Sequence, residues 1–344
     1  METALDSVRV ARRFGILDGI RGLAAFFVLL SHFGNPPLLD WVGRDMHLWY
    51  PLKAVYGNMI PGPPAVIVFF VLSGFCIHYP HRAIVSLDVA PFLVRRFLRV
   101  CIPMLIAIGI SIPMRVNLSI LRSSVLWSLV AELVYYALYP ILRQIALWLG
   151  WMSLLSVSFL GAAVALAQFP HSPDFTPFGN TWNWMLCLPS WVMGCMLADQ
   201  IREMATSSTG AQLWFWRIMV WGWATIASAL RFHSSVGYPW TLFLFGIPIF
   251  FWLRVELGHI PASRIARFLE WAGQWSYSLY LIHTLGIAVV ASLGLSSLPA
   301  LPRWGIGVSV IFGLAFLFFR IVEAPSHWLS RRAAVWVQSR FSKS

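Results

Sequence analysis

Charge is scarce in this chain. Only 11% of its 344 residues are Asp, Glu, Lys or Arg, and only 13 residues are acidic. In an ordinary soluble domain about a quarter of the residues are charged, so this composition excludes that class. The 59% share of hydrophobic residues and a mean hydropathy of +0.72 instead place the chain among proteins that cross a membrane several times.

Cysteine is rare as well. The spacing of the four cysteines fits neither a zinc site nor a disulfide framework. All four fall in apolar stretches, so we expect them to be buried, small apolar side chains. The sequence contains no glycine-rich phosphate loop and no fixed-period repeat, and it predicts no metal site. The cysteines are Cys76, Cys101, Cys187 and Cys195.

Long apolar stretches are what the chain has in abundance. About 20 residues of helix are needed to cross a hydrocarbon core about 30 Å thick, and ten stretches reach or approach that length. The sequence therefore predicts an all-α, polytopic membrane bundle of about ten transmembrane helices, forming a single domain over residues 1–344. The stretches run roughly over 16–34, 63–80, 98–114, 124–142, 145–168, 182–198, 213–231, 239–256, 272–292 and 303–322.

The basic residues indicate the orientation of this bundle. Most of the 25 Lys and Arg residues fall on one side of the ten predicted helices, the side that also holds both ends of the chain. Because cytoplasmic segments carry the excess of basic residues, both termini are predicted to be cytoplasmic. The net charge of +12 then reflects topology, and the dispersed cations do not predict nucleic-acid binding.

Three polar residues interrupt the first apolar stretch: Asp18, Arg21 and His32. At about 100° per residue, His32 lies roughly 20° from Arg21 around the helix and about 16 Å along its axis. Asp18 lies about 60° from Arg21, so the three share one stripe. An ion in hydrocarbon costs several kcal/mol, and the stripe is therefore predicted to face a polar tunnel.

Short sequence blocks are spread in order along nearly the whole chain. They are LDGIRGLAA at 17–25 with Ser31-His32, VFFVLSGF at 68–75, FLVRRFLRVCIP at 92–103, LWSLVAE at 126–132 with 136–140, SYSLYLIH at 276–283, and EAP at 323–325. Together these blocks resemble the membrane-bound acyltransferase-3 family, which includes O-acetyltransferases of bacterial surface polysaccharides, peptidoglycan and nodulation factors. The resemblance implies an acyl-CoA donor and a hydroxyl acceptor.

Arg95, Arg96 and Arg99 are the candidate donor site. Arg96 and Arg99 are one helical turn apart, so both guanidinium groups can grip one phosphate, and CoA carries several phosphates. Spacing alone favours a basic anchor on anionic lipid, worth about 1 kcal/mol per residue. The resemblance, in which the matching Arg-x-x-Arg motif is implicated in donor binding, implies an acetyl-CoA site.

His32 is the candidate catalytic residue. Imidazole can act as a general base on the acceptor hydroxyl or carry the acyl group briefly, although a lone histidine in a span is often only a packing residue. The family resemblance implies the catalytic role. Arg21 is expected to hold an oxyanion or the donor, or to orient the carboxylate of Glu323. Arg21 and neighbouring carboxylates such as Asp18 are expected to orient His32. The alternative for Arg21, Glu323 and Asp18 is a buried ion pair that fixes helix packing.

Five further residues are predicted to line the substrate site. Glu132 could orient a histidine, bind the acceptor or make a structural bond, and His283 is a second candidate acid or base. We expect the remaining histidines to be solvated. The predicted lining residues are Ser73, Glu132, Tyr277, Tyr280 and His283, and the histidines expected at the surface are His47, His78, His81, His171, His233, His259 and His327.

The sequence as a whole predicts an O-acyltransferase that moves an acyl group, most simply acetyl from acetyl-CoA, to a sugar hydroxyl. The expected acceptor is a surface polysaccharide or lipid-linked glycan, and the expected location is the bacterial cytoplasmic (inner) membrane, with membrane lipid as a partner. Two alternatives remain open at this stage. One is an antibiotic or lipid acceptor, and the other is a solute transporter, which also uses buried charges and glycine breaks. No oligomeric state is predicted.

Overall fold

The computed structural model describes residues 2–41, 47, 49–84, 86–114, 116, 121, 125–201, 209–258 and 264–341. Within these ranges every regular element is helical. The helices are α1 Glu2–Phe33, α2 Trp49–Asn58, α3 Gly62–His78, α4 Val89–Ser111, α5 Trp127–Leu149, α6 Trp151–Gln168, α7 Gly179–Gln200, α8 Gly210–His233, α9 Tyr238–Thr241, α10 Gly246–Gly258, α11 Arg264–Gly273, α12 Ser276–Ser292, α13 Ala300–Phe318 and α14 Ala324–Phe341.

Several of these helices can cross a membrane by length and apolarity. The described residues contain four such segments, Gly15–Phe33, Trp49–His81, Trp151–Gln168 and Ala300–Arg340. A fifth forms if α11 and α12, which meet at a bend of 67°, count as one broken span. The all-helical membrane fold predicted from sequence is thus confirmed. Ten spans and cytoplasmic termini stay predictions.

Helices α3 and α7 pack closely through two glycines. A Cβ placed on Gly74 would lie 1.9 Å from the Trp191 carbonyl oxygen, and one on Gly194 would lie 2.0 Å from that of Val71. Small residues let membrane helices approach this closely. The Cys195 thiol adds a 3.4 Å hydrogen bond to the Gly74 carbonyl oxygen. The backbones of α3 and α7 are therefore in direct contact.

Helix α1 is held by the bend between α11 and α12. A Cβ on Gly273, the last residue of α11, would lie 1.8 Å from the Asp18 carbonyl oxygen, and one on Gly22 would lie 3.0 Å from the Gly273 nitrogen. These contacts fix the bend against the inner half of α1. The start of α12, with Ser276 and Tyr277, is thereby placed beside Arg21.

The arginine helix α4 packs along the C-terminal helix α14. The two are also tied at one end, where the Gln338 amide donates a 3.1 Å hydrogen bond to Asp88. Immediately before α14, residues Phe319–Glu323 form a π-helical turn, an irregularity found often at functional sites. It ends at Glu323, whose side chain is buried and is brought close to α4.

Candidate active site

An inner cavity of about 150 Å³ gathers polar side chains from α1, α3, α4, α5, α12 and the π-turn. These side chains are far apart in sequence and meet only because the helices cross at this point. Eight of the residues predicted from sequence line this cavity. They are Arg21, Ser73, Arg96, Arg99, Glu132, Tyr277, Tyr280 and Glu323.

Arg21 is held in the inner cavity by two neighbours. Its Nη1 donates a 2.8 Å hydrogen bond to Asp18 Oδ1, and its Nη2 contacts the Cys76 sulfur at 3.2 Å. Asp18 therefore orients the Arg21 side chain and does not itself line the inner cavity. The sequence analysis missed Cys76, which it treated as an apolar packing residue, because nothing in the spacing shows that Arg21 points at α3.

Glu132 is the centre of a second group in the same cavity. Its Oε1 accepts a 2.8 Å hydrogen bond from the Ser73 hydroxyl and a further bond from the Tyr136 hydroxyl. These bonds join α3 to α5 and fix the carboxylate in place. Tyr136 lies in one of the family blocks, but its sequence position alone indicates no role.

Glu323 has different partners from the one expected. Its Oε2 accepts hydrogen bonds from the Ser278 backbone N–H at 3.1 Å and the Ser278 hydroxyl at 2.5 Å, and its Oε1 lies 3.5 Å from His327 Nε2. The expected partner, Arg21, lines the same cavity, but the carboxylate bonds to α12 instead. His327, expected at the surface, is partly buried beside it.

The three arginines of α4 are not equivalent. Arg96 and Arg99 line the inner cavity, and the Arg96 Nε is buried without a hydrogen-bond partner among the described residues. Arg95 lies outside that lining; like Arg99, it is exposed. Partial desolvation by the surrounding protein, then the charges of Arg99 and Arg331, lower the pKa of Arg95. Such a concentration of positive charge attracts a polyanion.

His32 lies in a second, outer cavity of about 470 Å³. Its side chain is exposed. Its Nδ1 is 2.9 Å from the Val28 carbonyl oxygen and 3.2 Å from the Ser31 hydroxyl oxygen. Since a carbonyl only accepts, the neutral ring carries its proton on Nδ1 and presents the lone pair of Nε2. The outer cavity also contains Asn35, Lys53, Tyr56, Trp127, Ser228 and Tyr238.

The single tunnel expected along the α1 stripe is thus divided in two. Arg21 lines the inner cavity and His32 lines the outer cavity. The contacts that orient His32 come from Val28 and Ser31 rather than from Arg21 or a carboxylate. Arg21 and His32 lie on one continuous helix but line different cavities.

His283 and Tyr280 occupy the layer between the cavities. The His283 ring is fully buried, and its centroid is 4.9 Å from that of His32 and 6.1 Å from that of Tyr280. His283 Nδ1 donates to the Tyr280 carbonyl oxygen at 2.7 Å. Its Nε2 is buried with no hydrogen-bond partner among the described residues. The Tyr280 hydroxyl is 2.5 Å from that of Ser128.

His78 is a further residue that the sequence analysis misplaced. It was expected at the surface but is only 3% exposed. Its Nε2 lies 2.8 Å from Asp199 Oδ1 and its Nδ1 lies 3.0 Å from the Tyr139 hydroxyl. The ring is buried because α7 runs beside the end of α3. His259, also expected at the surface, lies outside the described residues.

The described residues contain no group of three or more His, Cys, Asp or Glu side chains arranged to hold a metal ion. The side chains that are present combine fixed cations, a fixed carboxylate and an imidazole with a free lone pair. This combination can bind an anionic donor and remove a proton from an acceptor. The fold and cavities therefore describe a membrane protein with an enzyme-like site.

Comparison with known proteins identifies the family. Residues 14–320 match the acyltransferase-3 family, whose description is "Acyltransferase domain", so the chain belongs to that family of enzymes. The O-acetyltransferase PaAT-1 of Phomopsis amygdali is 36% identical over 69 residues, covering 18% of this chain and 13% of that protein. No solved structure matches the chain. The family membership expected from the sequence blocks is confirmed.

Proposed function

We propose that this protein is an integral-membrane O-acyltransferase that moves an acetyl group from acetyl-CoA to a sugar hydroxyl. The observation that carries the proposal is the inner cavity, where Arg96 and Arg99 meet Arg21 and Glu132 one layer away from His32. Paired arginines suit the phosphates of CoA, and an imidazole beyond them suits activation of a hydroxyl. The family match and the O-acetyltransferase relative support the same activity.

The donor would enter at the arginine end of the inner cavity. Arg99 would contact the CoA phosphates at the mouth, with Arg95 and Arg331 adding positive charge nearby. A cavity of about 150 Å³ suits the narrow pantetheine arm rather than the nucleotide. Glu132, which Ser73 and Tyr136 hold in place, would accept a hydrogen bond from a pantetheine amide.

The transfer step itself would use His32. Its Nε2 takes the proton of the acceptor hydroxyl while the hydroxyl oxygen attacks the thioester carbonyl carbon. A C–O bond forms, the C–S bond breaks, and the proton passes from His32 to the departing thiolate to give the CoA thiol. Arg21 would hold the donor, and Glu323 would fix the start of α12 through Ser278.

The acceptor would reach His32 through the outer cavity. Aromatic rings and hydrogen-bonding groups line that cavity together, a mixture that suits a sugar. A surface polysaccharide or lipid-linked glycan is the proposed acceptor, and a bacterial inner membrane with ten spans and cytoplasmic termini is the proposed setting. Mass spectrometry of surface glycans from cells with and without the gene would test the acceptor.

The rival functions are a different acceptor, such as an antibiotic or lipid, and solute transport. A single assay separates transport from acyl transfer. Purified protein in lipid nanodiscs should release free CoA thiol from acetyl-CoA, with water or added sugar as acceptor. His32→Ala should lower that rate at least about 100-fold, whereas His171→Ala, at an exposed loop histidine, should not. Absence of binding and turnover, together with solute flux in liposomes, would establish the transporter instead.

A further inference from the structure

We propose that Val66 controls passage of the acyl group from the inner to the outer cavity and thereby sets the length of acyl chain the enzyme transfers. This inference rests on the proposed function. Among the described residues, Val66 alone lines both cavities. Val66 is 4% exposed and lies where the two cavities adjoin.

The position of Val66 along α3 supports this role. Gly62, one turn earlier, lies against Ser31 beside His32, since a Cβ on Gly62 would be 2.3 Å from the Ser31 hydroxyl oxygen. Ser73, seven residues later, hydrogen-bonds Glu132 in the inner cavity. At 1.5 Å per residue, Val66 is about 6 Å from Gly62 and about 10 Å from Ser73 along the axis. An acyl group travelling from Glu132 to His32 must therefore pass the level of Val66.

The rest of the dividing layer is rigid. Tyr280 is anchored by Ser128, and His283 is anchored by the Tyr280 carbonyl oxygen. Trp127 lines the outer cavity and stacks on Phe175 with ring centroids 5.1 Å apart. A valine has no hydrogen bond to hold it, so its size is the adjustable element of the layer.

The size of the side chain at this position should decide which acyl groups reach His32. Protein interiors are packed tightly enough that one methylene group is felt, and one methylene can change enzyme selectivity by tenfold or more. Alanine in place of Val66 removes two methyl groups and makes room for a longer chain. Phenylalanine fills the passage and should stop even acetyl.

The competing interpretation is that Val66 is an ordinary core residue of α3. Val68 provides the matched control because it is on the same helix and is 7% exposed. It lines a third, apolar cavity of about 390 Å³ and neither of the two functional ones. Substitutions at Val68 test the effect of altering α3 packing without altering the passage.

The experiment measures CoA thiol release from acetyl-, propionyl- and butyryl-CoA, with water or added sugar as the acceptor, by the wild type and by Val66→Ala, Val66→Phe, Val68→Ala and Val68→Phe. Val66→Ala should raise the butyryl-to-acetyl ratio of kcat/KM at least about tenfold. Val66→Phe should lower acetyl turnover at least about tenfold while acetyl-CoA binding stays within about twofold. The Val68 variants should keep the wild-type ratio.

The outcomes distinguish failure of the proposed function from failure of the proposed role of Val66. If wild-type protein releases no CoA thiol from any of the three donors, both the proposed function and the role of Val66 are wrong. If the wild type is active and Val66→Ala keeps the wild-type chain-length ratio, only the role of Val66 is wrong. The ratio does not depend on how much protein folds, so Val66→Ala decides the matter even if Val66→Phe is unstable.

Discussion

The inner and outer cavities differ in how their polar groups are held. In the inner cavity Arg21, Glu132 and Glu323 are each held by two hydrogen bonds, at least one of which comes from another helix. In the outer cavity His32 is exposed and fixed mainly through backbone and side-chain atoms of its own helix. The outer cavity is also about three times larger, 470 Å³ against 150 Å³.

This difference suits two substrates of different kinds. A preorganised, charged site binds one defined ligand with little reorganisation, as expected for a constant donor such as acetyl-CoA. A roomier site can accept ligands of more varied shape. The eight inner-cavity residues predicted from sequence all lie in the family blocks, whereas Asn35, Lys53 and Ser228 in the outer cavity lie outside those blocks.

The largest effect is expected when the positive charges of the inner cavity are removed. The double variant Arg96→Gln, Arg99→Gln should raise KM for acetyl-CoA about 100-fold, because hydrogen bonds to charged groups contribute about 1.5–3 kcal/mol each and 1.4 kcal/mol is tenfold in affinity. KM is measured from CoA thiol release. Arg254→Gln, at an exposed arginine of α10, is the control and should bind acetyl-CoA normally. Equal KM values in the two variants would contradict a donor site at α4.

A smaller effect is expected from the layer between the cavities. His283→Gln should lower kcat about tenfold with KM for acetyl-CoA unchanged, because the ring packed 4.9 Å from that of His32 helps to set its orientation, and small misplacements slow catalysis. Steady-state kinetics gives this split directly. The neighbouring buried residue Thr284 supplies the control, Thr284→Val. A rise in KM without a fall in kcat would show that His283 belongs to donor binding instead.

The smallest expected effect separates Arg95 from its two neighbours. Arg95→Gln should raise KM for acetyl-CoA only about threefold, since an exposed charge contributes about 0.2–1 kcal/mol. Because salt screens exposed charges, the difference from wild type should disappear at high ionic strength. Arg332→Gln, on the exposed side of α14, should show no difference at any salt concentration. An effect of Arg95→Gln as large as that of the double variant would place Arg95 inside the site.

Sequence reasoning reached the family and the residues of the inner cavity because both depend on local patterns. The block FLVRRFLRVCIP fixes Arg96 and Arg99 one turn apart, and an apolar stretch containing Arg21 cannot face lipid. The all-helical fold follows from apolar stretches that are long enough to be membrane helices. These features can be read from residues that are close together in the chain.

What could not be predicted depends on contacts between distant segments. The Ser128–Tyr280 bond joins residues 152 positions apart, and nothing in one sequence shows that they meet. For the same reason Cys76 was not recognised as a partner of Arg21, nor Ser278 as a partner of Glu323. The predicted stripe on α1 was geometrically sound, but side chains of α3, α5 and α12 divide the space that it faces.

The close contacts of Gly74 and Gly194 limit how helices α3 and α7 can move. Each glycine lies against a carbonyl oxygen of the other helix, so sliding α3 along α7 by one residue would bring Ser73 or Phe75 to a place where only hydrogen fits. The two helices therefore cannot slide along each other without a steric clash. Any widening that admits a substrate has to occur elsewhere in the bundle.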